Sequence, residues 1–168
     1  MGWIYPFSFV SFNKSFTYTA DETIYDTYTS KLEVFKKVYD TEETQSDITT
    51  SFIGEGQTLL SHSLFTTSDK LTIHYEDLEQ LQSRINTFRL KLTHLDRTST
   101  DRYNAKAQQY LYLLIDNSEY MEIQLENMLD SQFNKRSNLR GEFSKVHSSM
   151  ITTVEQLTTF YQAYRNGS

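Results

Sequence analysis

Apolar residues return every seven positions in two stretches of this chain, and that spacing constrains its fold more than any other feature. In the first stretch Leu71, Leu78, Ile85 and Leu92 share one heptad position, and Leu81, Phe88 and Leu95 stand three positions further on. In the second, Phe143, Met150, Leu157 and Tyr164 alternate with Leu139, Val146 and Phe160. A seven-residue repeat lays one apolar stripe along a helix, and a helix so marked is stable only when the stripe is covered. These residues are the expected helix-packing seam.

Helix limits follow from the punctuation around the stripes. Ala20-Asp21-Glu22-Thr23 suits a helix N-terminus, and Ile24, Tyr28, Leu32, Phe35 and Tyr39 follow at helical spacing. Gly54-Glu55-Gly56 reads as a breaker within a weaker region, 47–68, where a short helix or a packed loop is expected. Ser68 is the expected N-cap of the first heptad helix. The polar patch 97–101 ends it, and Thr98 with Asp101 resembles a capping box for the next helix. There Tyr110-Leu111-Tyr112-Leu113-Leu114-Ile115 is apolar nearly all round, and it is expected to be the most buried element. A second polar patch, 134–138, precedes the last heptad helix.

The expected fold is all-α: an up-and-down bundle of about four long helices near 20–46, 69–96, 101–131 and 137–165. The alternative is an elongated coiled coil in which 101–165 forms one kinked rod. The flanking charges favour the bundle. In a parallel homodimer over 71–95, Arg84 would face the partner's Arg89, a repulsive pair, and Val154 and Tyr161 widen the last stripe beyond a two-helix seam. Residues 20–166 are read as one helical domain.

Residues 1–19 are read as an extended aromatic arm, with Pro6 inside it and no helical period. Trp3, Tyr5, Phe7, Phe9 and Phe12 would form a large apolar patch if exposed, so the arm packs on its own bundle or on a partner, and these are the candidate partner-binding residues. The apolar start has no preceding cation, with Lys14 following it, so a signal peptide is not expected. No run approaches the ~20 apolar residues of a membrane span.

Composition removes several classes of function. The net charge of -6 argues against nucleic-acid binding through phosphates. With no cysteine, thiol catalysis, disulfides and Cys-based zinc sites are excluded. The four histidines, His62, His74, His94 and His147, lack the spacing of a di-iron or zinc-protease motif. His74, with Asp77 one turn later, reads as a polar seam residue that sets register. No phosphate-binding glycine loop or nucleophile elbow is present.

The expectation is a non-enzymatic protein with no catalytic, metal or cofactor site. It would act in protein–protein assembly, as a scaffold or adaptor and as a subunit of a homo- or hetero-oligomer, and its compartment is taken as cytoplasmic, with secretion as the alternative. Arg84, Arg89, Lys91, Arg97 and Arg102 suggest a second reading, a curved helical dimer on a membrane surface. Tyr39-x-x-x-Glu43 and Tyr75-x-x-x-Glu79 suggest a third, a secreted helical partner of a bacterial export system.

Overall fold

The computed structural model describes residues 15–40, 47–130 and 136–167, which are predominantly helical. In chain order the elements are β1 (Ser15–Tyr18), α1 (Glu22–Asp40), α2 (Ile48–Leu60), α3 (Ser63–Thr66), β2 (Leu71–His74), α4 (Tyr75–Ser99), α5 (Ala105–Asp130) and α6 (Arg136–Arg165). A 3-10 turn, Thr100–Arg102, joins α4 to α5. Three helices are long, at 25, 26 and 30 residues, while α1 has 19 and α2 only 13.

Specific contacts fix the helix directions. Asn117 on α5 donates to the Ser149 carbonyl (3.0 Å) and to Thr153 Oγ1 (2.9 Å) on α6, while Asn104, nearer the start of α5, reaches the Ala163 carbonyl. Ascending positions on one helix meet descending positions on the other, so α5 and α6 are antiparallel neighbours. The continuous rod over 101–165 is thereby ruled out. Asn86 and Arg89 on α4 both reach Glu122 on α5, which makes that pair antiparallel as well. Against α6, α1 runs parallel, with Tyr28 beside His147, Lys31 paired to Glu155 and Tyr39 beside Tyr161. α2 runs the other way, with Asp47 bonded to Tyr164 and Gly56 facing Leu157. The helices α1, α2, α4, α5 and α6 thus alternate in direction, and α6 is touched by α1, α2, α5 and β1.

Several helix limits differ from the sequence expectation, each for a local reason. The first heptad helix begins at Tyr75, because Leu71–His74 pairs antiparallel with β1, Phe16 opposite Ile73 and Tyr18 opposite Leu71. Leu71 is therefore a half-buried strand residue and not a member of the helical seam. Ser68 lies in the preceding loop. The helix start is secured instead by Asp77, whose carboxylate accepts the His74 backbone N–H at 2.7 Å, the back-bonding half of a capping box. At α5 the expected Thr98–Asp101 box is replaced by Asn104, which accepts the Ala107 N–H at 2.9 Å.

Gly54 and Gly56 do not break the chain but lie inside α2. A Cβ on Gly56 would stand 3.1 Å from Phe88 and 3.2 Å from Leu157, so the bare backbone is what lets α2 settle into the cleft between α4 and α6. Phe52 of α2 stacks on Phe88 there, ring centroids 5.1 Å apart. Asp47 caps the helix, accepting the Thr50 N–H at 2.7 Å. Burial opposes the charge on Asp47, but the Thr50 and Tyr164 hydrogen bonds outweigh it and hold the carboxyl below its ordinary value. Burial, together with that carboxylate, raises the Tyr164 phenol to about 12.

The many mid-helix Ser and Thr residues satisfy their hydroxyls locally. Thr29, Thr87, Thr93, Ser118, Thr153 and Thr158 each donate to the carbonyl four positions back. Gly141 is a different case: exposed, helical and with nothing within 4 Å of an added Cβ. Gly141→Ala is expected to raise stability by about 0.5–1 kcal/mol in urea unfolding, since only the helix-propensity difference changes. A loss would mean that α6 does not continue through this position.

Candidate interaction surface and the buried histidine

The seam residues divide by position. On α4, Leu78, Leu81, Ile85, Phe88, Leu92 and Leu95 are buried, as are Leu139, Phe143, Val146, Met150, Leu157 and Phe160 on α6. Their covering comes from this chain's own helices. The seam is therefore internal and is not a surface held open for another molecule. Trp3, Tyr5, Phe7, Phe9 and Phe12 lie outside the described residues, as does most of the arm; its last part, Ser15–Tyr18, is the strand β1.

What remains outside is concentrated on α5. Among the described residues seven large apolar side chains are exposed, and four of them are Tyr112 (50%), Leu113 (38%), Tyr120 (53%) and Ile123 (48%). This corrects the expectation that Tyr110–Ile115 is the most buried element. Leu111 and Leu114 turn inward, whereas Tyr112 and Leu113 turn out. Buried Leu111, Leu114, Ser118, Met121 and Leu125 define the inner face, and on a 3.6-residue helix Tyr112, Asp116, Tyr120 and Ile123 fall opposite them. An all-round apolar segment carries no periodic signal for which side faces in, which is why the sequence did not separate the two.

A cleft of about 560 Å³ adjoins this face, with α6 as its floor and α1 and α5 as its walls. Val34 and Lys31 line one wall, Tyr110 and Leu113 the other, and Thr152, Glu155 and Gln156 lie along the base. The Gln156 side-chain carbonyl is buried there without a hydrogen-bond partner.

The basic residues named in the sequence do not all share a face: Arg84 and Lys91 line one cleft beside Glu55, but Arg89 does not join them. Arg89 pairs with Glu122 at 2.6 Å across the α4–α5 boundary, whereas Lys91 pairs with Glu55 on the opposite, α2 side. Arg89 and Lys91 therefore cannot line one concave surface together.

Of the histidines, His74 is exposed on β2, away from the helical seam where it was expected, and His94 is exposed on α4. His62 caps α3 through Nδ1, and burial, then the charge of Arg84, lowers its pKa. His147 is the outlier, fully buried one helical turn beyond Phe143. Its Nδ1 lies 3.0 Å from the Tyr18 hydroxyl, and the rings of Tyr18, Tyr28 and Phe65 surround it. Burial lowers its pKa to about 4, with a hydrogen bond to the Phe65 backbone acting in the opposite sense, so near neutrality it is uncharged. The sequence signal for it was its i+4 relation to Phe143. Among the described residues no group of three His, Asp or Glu side chains could hold a metal ion, and no helix is long and apolar enough to cross a membrane.

No protein-family model matches the chain, and no curated protein or solved structure matches it.

Proposed function

We propose that the protein is a non-catalytic assembly subunit, an up-and-down helical bundle with an N-terminal aromatic arm, whose role is to present surface to another protein chain. The observation that carries this reading is the apolar stripe of α5. A helix whose inner face is fully covered has no structural need for Tyr112, Leu113, Tyr120 and Ile123 on its outer side. Aromatic side chains supply large contact area at little entropic cost, and they dominate the energetics of protein interfaces. The heptad stripes are consumed inside the fold, so scaffold or adaptor function rests on α5 and on the arm, and coiled-coil oligomerisation through the seams is the weaker form of the reading. A membrane-curving dimer is disfavoured by the split directions of Arg89 and Lys91.

The test places a photo-crosslinking amino acid at Tyr120 of the full chain in its source cells, with a second version at the exposed Glu33 of α1. A discrete higher-mass adduct from position 120, absent from position 33, is the expected result. No adduct from position 120, or the same adducts from both, overturns the reading.

A further inference from the structure

The charge around the α5 stripe says what kind of chain would cover it. Between Gln108 and Asp130 this helix has five acids, Asp116, Glu119, Glu122, Glu126 and Asp130, and no base. Among the described residues Glu122 is paired in the fold, by Arg89, which also attracts the nearby Glu119. Asp116, Glu119, Glu126 and Asp130 are exposed, and the first two lie between the exposed rings of Tyr112 and Tyr120 or directly beside them. Lys145 of α6 lies near Tyr120, but it is held by Glu142 at 2.9 Å. Lys106, the one base of α5, stands at its opposite end.

From Tyr112 to Ile123 the stripe extends about 16 Å at 1.5 Å per residue, three turns of helix. A second copy of this chain meeting it along a two-fold axis would bring Asp116 and Glu119 against the same acids, a repulsive arrangement. An anionic lipid surface is disfavoured by the same charges. A partner with cations flanking an apolar stripe satisfies both features at once.

We infer that the outward face of α5 is a docking site for a cationic amphipathic helix of a partner protein. Apolar residues of that helix meet Tyr112, Tyr120 and Ile123, and its Lys or Arg residues meet Asp116, Glu119 and Glu126. This inference rests on the assembly reading above and goes beyond it in fixing the partner's chemistry.

The experiment titrates the full-length protein against a short synthetic Leu/Lys amphipathic helix and against its Leu/Glu counterpart, by fluorescence anisotropy at low and high salt. Binding of the Leu/Lys helix alone, weakened by salt, is expected. Asp116→Lys with Glu119→Lys, and separately Tyr120→Ser with Ile123→Ser, should each weaken it about tenfold or more. Glu76→Lys with Glu79→Lys, exposed on a different helix, α4, should change it by less than about twofold, because attraction to net charge alone is diffuse. All substituted side chains are exposed, and circular dichroism checks that helicity is retained. Equal weakening by the α4 pair, equal binding of the Leu/Glu helix, or no effect of the α5 pairs overturns the inference. So does binding that appears only after Trp3→Ser with Phe7→Ser, which would assign the face to the chain's own arm, or only on dilution of a dimer, which would assign it to a second copy. An adduct at Tyr120 together with no binding of the Leu/Lys helix rejects the partner chemistry and leaves the assembly reading standing. Absence of both rejects both.

Discussion

Replacing Phe143 by Ala is expected to lower the stability of the fold by about 3–5 kcal/mol, the range for removing a fully buried phenylalanine. Phe143 is the residue through which the two-stranded ribbon is tied to the helices. Its ring lies parallel to that of Phe65 with centroids 5.8 Å apart, meets Tyr18 edge-on at 4.8 Å, and touches Phe16 at 6.0 Å. A ribbon of two short strands has little stability of its own in water, so the cavity left by the ring would loosen β1 first. Urea unfolding measures the global loss, and hydrogen exchange at Phe16–Tyr18 should show the local one. A loss below about 1 kcal/mol would mean that the ribbon is not packed on α6 as described.

The second large effect is a dependence on pH centred on His147. Its pKa falls from the ordinary 6.5 to about 4 in the folded chain. Above the unfolded value both states are neutral and the histidine contributes no pH dependence. As the pH falls below it, the unfolded chain takes up a proton that the folded chain refuses, so stability is lost. The loss is complete only below the folded value, where it amounts to about 3 kcal/mol. Among the described residues the groups facing the imidazole are the Tyr18 hydroxyl from β1, the Tyr28 ring from α1 and the uncharged Phe65 from α3, and no carboxylate among them compensates the charge. Between about pH 7 and about pH 5, wild-type protein should lose about 2 kcal/mol more than a His147→Gln variant. Equal pH slopes for the two proteins would show that the imidazole is accessible to protons in the folded state.

The α4 and α6 stripes were legible because burial on one side of a long helix imposes its own period on the sequence. The same regularity misled at Leu71, which falls seven positions before Leu78 by coincidence while belonging to a strand. A four-residue strand is too short for its alternation to compete with a heptad that runs through it. α2 was obscured for the opposite reason: Thr49, Thr50, Gly54 and Gly56 are poor helix formers, and the helix exists because Phe52, Ile53, Leu59 and Leu60 are buried by neighbours distant in sequence. The candidate surface was hidden by its own apolarity. His147 was visible as a residue, but its burial depends on Tyr18, which is 129 positions away.

That separation also governs the order in which the molecule can be made. α4, α5 and α6 meet through successive short connections, so each can close on the one before it soon after synthesis. For β1, α1 and α2 part of the packing comes much later, since Tyr18, Lys31 and Asp47 find partners 129, 124 and 117 positions on, all on α6. At a ribosomal rate of about 5–20 residues per second, those α6 contacts wait on the order of ten seconds after their N-terminal halves are made. A stall before α6 would release a product that lacks the surface against which part of β1, α1 and α2 packs.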